Sequence, residues 1–229
     1  MSALEQFGED IWIAAGPTVQ SFGFRYPTRM AAIRLADGGL FIWSPVGLSA
    51  ELHAAIDALG EVRSIVTPTA LHSAFLDEWK RAYPTATLFA APASHQRSKD
   101  IAFDADLSDT PPETWAGQID QVLMRGNAIA TEAVFFHRKS ATVLFADLLQ
   151  NFPPGWFKGL QSLIAQLDGM VGSEPRTPQK FKVAFTDRKT AREALHRILD
   201  WPAESVLMAH GDPVRQDGRT FIARAFNWL

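Results

Sequence analysis

Residues 65–73 read Ile-Val-Thr-Pro-Thr-Ala-Leu-His-Ser, so that His72 follows directly after a short apolar strand. Two later stretches repeat this arrangement, because Asp147 and His210 also follow apolar runs. Polar residues at the carboxyl ends of separate buried strands meet at one edge of a sheet, where layered α/β proteins tend to keep their sites. Two imidazoles and a carboxylate are a typical ligand set for a catalytic metal ion with an open coordination position.

At 229 residues the chain could form one large domain or two small ones, and the continuous α/β pattern of its elements predicts a single domain over residues 1–229. Of the 229 residues, 47% are hydrophobic, which is enough for a sizeable core. The net charge of -3 gives no reason to expect nucleic acid or an anionic membrane as a partner. The chain has no cysteine, which excludes disulfides and thiolate chemistry and fits a cytoplasmic location. Residues 1–11 carry acids and no apolar run, so no secretory signal is expected.

Apolar runs alternate with helical patterns along the first half, which indicates parallel strands joined by crossover helices. The runs 30–35 and 40–43 flank an Ala-Asp-Gly-Gly turn and predict a β-hairpin, because glycine supplies the positive φ such turns require. Ser49 can cap a helix over 50–59, and Gly60 is the expected residue after its end. The other elements expected here are a strand 11–15 with a turn at Gly16-Pro17, a strand 62–66, a helix from His72 to about Ala82, and a strand 87–91.

In the second half, the runs 131–137 and 142–146 flank an Arg-Lys-Ser turn and predict a second hairpin. A helix is expected over 153–168, with two prolines in its first turn and an apolar face made of Phe157, Leu160, Leu163, Ile164 and Leu167. The other elements expected are a strand 119–124, a helix from Thr186 or Asp187 to about Leu199, a strand 205–209 and a final helix. Because each half runs from a hairpin into helices, two sheets packed face to face with helices outside are predicted.

This order of elements, with polar residues after the strands at 66, 146 and 209, resembles the metallo-β-lactamase superfamily. The resemblance implies an α/β (α+β) fold: a four-layer αββα sandwich of two mixed β-sheets with helices outside and metal at the sheet edge. It also implies hydrolase activity. The phrases Ser44-Pro45-Val46 and Ala82-Tyr83-Pro84 are similar to an uncharacterised, motif-degenerate branch of that superfamily. In that branch the segment 71–73 commonly reads Leu-His-His.

The superfamily's metal motifs are only partly kept. Its first signature, His-x-His-x-Asp-His, corresponds here to residues 68–73, where the four ligand positions hold Pro68, Ala70, His72 and Ser73. The superfamily's next histidine would fall near residues 126–131, and none occurs there. Its bridging acid matches Asp147, and its late Gly-His-Gly matches Ala209-His210-Gly211.

The missing ligands belong mainly to the first of the superfamily's two metal positions, whereas the three matching positions that remain fall together in the second. At one of them His72 stands in place of the superfamily's aspartate, which keeps a metal-binding group. The resemblance therefore implies one metal ion held by His72, Asp147 and His210. By ligand type the ion would be Zn²⁺, with Fe or Mn also open, and a site without any metal remains the alternative. Taken singly, each residue also has a structural explanation, such as capping the helix that follows its strand.

Two hypotheses of function stay open. The first is a metal-dependent hydrolase acting on a small ester, thioester, amide or phosphoester. The second is a catalytically inactive member of the fold that serves as a binding or structural module, because the first-metal histidines and an evident base are missing. A small-molecule substrate or ligand is the expected partner, and the sequence does not indicate an oligomeric state.

Two further residues are weak catalytic candidates. Ser73 could hydrogen-bond a ligand or substrate, whereas Glu132 stands at a strand start, where a solvated side chain is the commoner outcome. Residues 151–157 could wall an apolar pocket above the metal or staple the helix that follows. Three of the remaining histidines are expected away from the site: His53, His137 and His196. His95 could lie on the rim of the site, although a surface loop is the commoner outcome.

Overall fold

The computed structural model describes residues 3–21, 23–172 and 174–229. Two mixed β-sheets pack face to face, and helices cover the outer side of each sheet. This arrangement confirms the four-layer αββα sandwich that the sequence predicts. Within the described ranges, no helix combines the length and the hydropathy that crossing a bilayer requires.

The first sheet contains seven strands whose spatial order follows the chain. They are β1 (Glu5–Gly8), β2 (Ile11–Ser21), β3 (Phe24–Arg34), β4 (Leu40–Trp43), β5 (Val62–Val66), β6 (Thr87–Ala90) and β7 (Ala105–Asp106). Strands β1 to β4 are antiparallel, and β4 to β7 run parallel. The β3–β4 pair is the predicted first hairpin, and Gly38 in its turn has the expected positive φ, 86°.

The second sheet has four strands in the order β11-β10-β9-β8. They are β8 (Ile119–Met124), β9 (Glu132–His137), β10 (Thr142–Asn151) and β11 (Ser205–Gly211). The antiparallel pairing of β9 with β10 confirms the second predicted hairpin, and β11 pairs with β10 in parallel. Parallel pairing brings the carboxyl ends of β10 and β11 to the same sheet edge.

Seven helices lie within the described part of the chain. They are α1 (Ala50–Leu59), α2 (Leu76–Ala82), α3 (Ser94–Arg97), α4 (Leu160–Leu167), α5 (Gln179–Ala184), α6 (Arg188–Leu199) and α7 (Gly218–Ala225). Helix α1 follows its local signals, because Ser49 Oγ accepts a hydrogen bond from Leu52 N–H and Gly60 follows the last turn.

Apolar clusters fill the spaces between the layers. Between the two sheets lie side chains that include Phe41, Phe135 and Leu144. Helices α1 and α2 pack on the first sheet through residues such as Ile56 and Trp79, and α6 and α7 pack on the second sheet in the same way. Burial of these side chains is the main driving force for folding, and it fixes the strand ends that carry the polar residues.

One predicted turn and one predicted helix start are wrong. Gly16-Pro17 is not a turn but lies inside β2, where the register against β3 shifts because Pro17 has no N–H to donate. The helix predicted to open at His72 begins at Leu76, and His72 instead lies in a turn in which its N–H donates to Thr69 O at 3.1 Å.

The helix predicted over 153–168 begins only at Leu160. Gly155 and Gly159 adopt positive φ angles of 82° and 57°, which an α-helix does not accommodate. Of the predicted apolar face, Phe157 is buried, but the others are exposed by 72, 55, 44 and 73%: Leu160, Leu163, Ile164 and Leu167. Most of that face therefore does not pack into the core.

His137 lies at the opposite end of β9 from Glu132, as predicted, and its side chain is buried. Burial lowers the pKa of His137 to about 4, although nearby Asp10 opposes the shift. The unfolded chain takes up a proton near pH 6.5, whereas the folded chain excludes it until much lower pH. We therefore expect the His137 contribution to the free energy of unfolding to decrease by up to about 3 kcal/mol as the pH falls from 6.5 to 4.

Urea unfolding of wild type and His137→Gln between pH 7 and 4.5 measures this effect. The difference in unfolding free energy between the two proteins should shrink as the pH falls, because the variant has no imidazole to protonate. His53→Gln, on α1 beside Asp57, is the control and should follow the wild-type curve. Parallel curves for wild type and His137→Gln would contradict the prediction.

Candidate metal centre

The side chains of His72, Asp147 and His210 come together at one edge of the sandwich; we call them the three-residue site. Nε2 of His72 lies 3.4 Å from Oδ2 of Asp147, and Nε2 of His210 lies 3.5 Å from Oδ1 of Asp147. One ligand atom from each residue lies within 4.8 Å of the other two. In a tetrahedral site with metal bonds of about 2.0–2.1 Å, neighbouring ligand atoms are about 3.3–3.4 Å apart. Each imidazole lies at about that distance from one oxygen of Asp147, and the 4.8 Å limit on the whole set leaves the three residues close enough to share one ion after small adjustments.

A break in the β10–β11 ladder places Asp147. The pairing register shifts between Phe145 and Gln150, so the peptide groups between them leave the regular ladder. Their N–H groups need another acceptor, since buried unpaired N–H groups are costly. Glu132 of β9 supplies it by accepting hydrogen bonds at 2.7–2.9 Å from three successive N–H groups: those of Ala146, Asp147 and Leu148.

Glu132 is 1% exposed, so the interpretation of it as a solvated strand end is wrong. Burial and the charge of Asp147 raise the pKa of Glu132 to about 7, and its three backbone hydrogen bonds act in the opposite direction. The Glu132 carboxyl lies behind the site and holds the backbone of the residue that faces it.

Both imidazoles present Nε2 to the carboxylate. His210 Nδ1 lies 2.8 Å from the carbonyl oxygen of Pro27, which can only accept, so this nitrogen carries the proton and Nε2 of the neutral ring has a free lone pair. His72 Nδ1 lies 2.8 Å from Ser44 Oγ. His72 Nε2 is buried and has no hydrogen-bond partner among the described residues. A metal ligand is commonly oriented through its second ring nitrogen in this way.

Asp147 is buried between the two rings. Its Oδ2 also accepts a hydrogen bond from Thr69 Oγ1 at 2.8 Å. Burial alone would raise the pKa of Asp147, but His72 and His210 hold it well below its usual range. Burial opposes protonation of His72, yet the charges of Asp147 and Glu132 raise the pKa of that imidazole. The donor set is thus one ionised carboxylate with two imidazoles, which suits a divalent cation.

A cavity of about 370 Å³ opens over the three-residue site. Its walls are mainly apolar, and they come from the β2–β3 pair, the turns after β4 and β5, the segment before β9, and α5. The wall residues include Val19, Tyr26, Pro45, Leu71, Phe75, Ile129, Lys180 and Phe181. Ile129 stands in the segment 126–131, where the superfamily resemblance implied a further histidine.

The weak catalytic candidates do not line this cavity: neither Ser73 nor Glu132 is among its wall residues within the described part of the chain. The segment 151–157 does not line it either; there, Phe152 and Phe157 pack with Tyr26 behind the wall. Of the other histidines, His95 pairs with Asp106 at the surface, His53 is half-buried on α1 beside Asp57, and His196 is exposed on α6. These positions agree with the sequence-based expectation.

Several polar residues of the site were not identified from the sequence, among them Tyr26, Ser44, Thr69 and Lys180. Ser44 stands at the end of β4, and a search for polar residues at every strand end would have found it. Thr69 lies within residues 65–73, but a single threonine does not define a metal-binding motif. Tyr26 and Lys180 are 154 positions apart, so only the tertiary fold joins them.

Residues 18–163 match the model of a family described as "Domain of unknown function (DUF4336)". No curated protein has a sequence that matches the chain.

Solved metallo-β-lactamase structures are similar to the chain over nearly its whole length. DIM-1 metallo-β-lactamase exposed to ceftazidime is 14% identical with a TM-score of 0.64, covering 98% of this chain and 96% of that one. A metallo-β-lactamase from Pontibacter korlensis is 13% identical with a TM-score of 0.63 and covers 99% of both chains. One from Erythrobacter litoralis is 11% identical with a TM-score of 0.66, covering 98% and 94%. The chain therefore has the metallo-β-lactamase fold.

Proposed function

The chain belongs to the family described as domain of unknown function DUF4336, and from its fold and its three-residue site we propose that it is a metal-dependent hydrolase with one metal ion. The substrate is a small ester, thioester, amide or phosphoester. His72, Asp147 and His210 are the proposed ligands, and Zn²⁺ is the proposed ion by ligand type, with Fe or Mn as alternatives.

A single observation carries this proposal: three side chains of metal-ligating type converge at the base of a cavity large enough for a small molecule, and Nε2 of His210 is free to bind because its Nδ1 donates to Pro27 O. A buried carboxylate between two imidazoles would also be stable as a purely structural ion pair. The cavity directly above it favours a ligand-binding role, as does the long contact of 3.4 Å between His72 Nε2 and Asp147 Oδ2, which leaves that nitrogen without a well-aligned hydrogen bond.

When bound, a divalent ion supplies Lewis acidity, which polarises a carbonyl or phosphoryl oxygen and acidifies a water molecule. The chain's own residues supply the rest. Ser44 and the Pro27 carbonyl hold the two imidazoles in orientation, and Thr69 and Glu132 hold Asp147. The apolar walls exclude bulk water, which strengthens electrostatic interactions at the site.

Hydrolysis by full-length protein tests the proposal. Protein treated with a chelator and then supplied with Zn²⁺, Fe²⁺ or Mn²⁺ is assayed against chromogenic esters, thioesters, amides and phosphoesters. Turnover should be at least about 100-fold higher with the effective ion than without it, and His210→Ala should lack it. His53→Ala should keep it. Metal-loaded protein without turnover on any of the four classes would contradict the proposal.

The alternative is a binding module that lacks catalysis. One observation favours it: Asp147 is the only carboxylate among the described residues that line the cavity, and it is already engaged by both imidazoles and Thr69. A second carboxylate that could serve as a general base is not present in that lining. Metal binding together with ligand binding but no turnover is the result that this alternative expects.

A further inference from the structure

Lys180 is the one lysine or arginine among the described residues that line the cavity. It lies near the start of α5, and Asp168 Oδ1 accepts a hydrogen bond from its backbone N–H at 2.8 Å. The other charged or titratable lining residues besides Tyr26 are the three of the three-residue site. An ammonium group in an otherwise apolar wall is a feature that fixes the orientation of a ligand.

Tyr26 connects Lys180 to the three-residue site. Lys180 Nζ donates a hydrogen bond to the Tyr26 hydroxyl at 2.8 Å and lies 5.3 Å from the centroid of the Tyr26 ring. The centroid of the His210 ring lies at the same distance, 5.3 Å, from the Tyr26 centroid. One small molecule can therefore contact the ammonium group and the three-residue site together.

The ammonium group retains capacity for an anion. It has three N–H donors, of which Tyr26 takes one, and the carboxylate Oδ2 of Asp168 lies at 3.8 Å, beyond hydrogen-bond distance. Burial lowers the pKa of Lys180, whereas Asp168 and Asp147 oppose that shift. A bound carboxylate would compensate in part for the water that the Lys180 ammonium group loses when it is buried in the cavity wall.

We propose that the cavity binds a small amphiphilic carboxylic acid, with its carboxylate on Lys180 and its apolar body against Leu71, Phe75 and Phe181. The volume of about 370 Å³ is near the lower end for ligand pockets, so the body is short. In the hydrolysis proposed above, the bond to be cleaved would then lie at the three-residue site. The position of that bond rests on the proposed function, whereas binding of the acid by Lys180 does not. Lys180 is a specificity-determining residue in this scheme.

Isothermal titration of chelator-treated full-length protein with octanoate and with octanamide tests the inference. The two probes share an apolar chain and differ in charge, and the absence of metal prevents octanoate from binding to an ion. We expect octanoate to bind about tenfold or more tightly than octanamide, because a hydrogen bond to a charged group is stronger than a neutral one. Lys180→Met should abolish the preference, and Lys180→Arg should retain most of it.

Lys182→Met is the matched control, because Lys182 lies two residues further along α5 over the Trp228 ring and does not line the cavity. It should leave the preference unchanged. Equal affinities of wild type for the two probes, or an unchanged preference in folded Lys180→Met, would overturn the inference. If octanoate binds through Lys180 but no substrate is hydrolysed, only the hydrolase proposal is refuted. If substrate is hydrolysed but octanoate is not preferred over octanamide, only the proposal for Lys180 is refuted.

Discussion

Full-length protein reconstituted with Zn²⁺ is expected to carry about one ion per chain, and His72→Ala and His210→Ala to carry almost none. The three ligand atoms stand at separations that suit one ion, and each variant leaves only two of them. Because binding to the folded state alone adds stability, zinc at 100 times its dissociation constant should stabilise wild type by about 2.7 kcal/mol. Elemental analysis after gel filtration and thermal unfolding with and without zinc measure both effects.

Ser44→Ala sharpens this test, since Ser44 contacts His72 Nδ1 but is not itself a proposed ligand. Loss of such an orienting partner typically weakens metal affinity by about 10- to 100-fold, so this variant should lie between wild type and His72→Ala. His95→Ala, at the surface beside Asp106, should bind as wild type does. Wild type that stays free of metal after reconstitution with Zn²⁺, Fe²⁺ and Mn²⁺ would refute the metal site.

The fold was predictable where local chemistry decides the structure. The turn between β3 and β4 needs residues that accept positive φ, and α1 needs a cap at Ser49 and a stop at Gly60; all three signals are within a few residues of their effect. Prediction failed where several signals compete. At 153–168 the apolar periodicity favours a helix, but Gly155 and Gly159 adopt positive φ angles, so the helix does not form before Leu160. The sequence alone does not show whether the periodicity or the glycines decide the structure.

The candidate site was predictable because its residues follow apolar runs, although β10 and β11 extend past Asp147 and His210, which therefore lie inside these strands. His72, Asp147 and His210 follow apolar runs, and parallel pairing of β10 with β11 brings two of them together. Glu132 could not be assigned in this way. Its role depends on a local break in another strand, and that break is a property of the β10–β11 pairing and not of the residues around Glu132.

Glu132→Ala is expected to lower the free energy of unfolding by about 3–9 kcal/mol, a large part of the 5–15 kcal/mol typical of a domain. Its carboxylate accepts hydrogen bonds from three buried backbone N–H groups, and the alanine side chain has no acceptor to replace it. Each N–H left unpaired costs about 1–3 kcal/mol. Urea unfolding at pH 7, with the midpoint and slope fitted separately, gives the value.

Glu132→Gln separates the contribution of the Glu132 hydrogen bonds to stability from the contribution of the side-chain volume. The amide keeps the volume, but only its oxygen can accept, and its NH₂ would face a backbone donor, so a loss intermediate between wild type and Glu132→Ala is expected. Glu113→Ala, at an exposed position, should change stability by less than about 0.5 kcal/mol. If Glu132→Ala unfolds like Glu113→Ala, the three N–H groups have other acceptors. If instead Glu132→Gln folds well but loses metal, the backbone under Asp147 is what sets the position of that ligand.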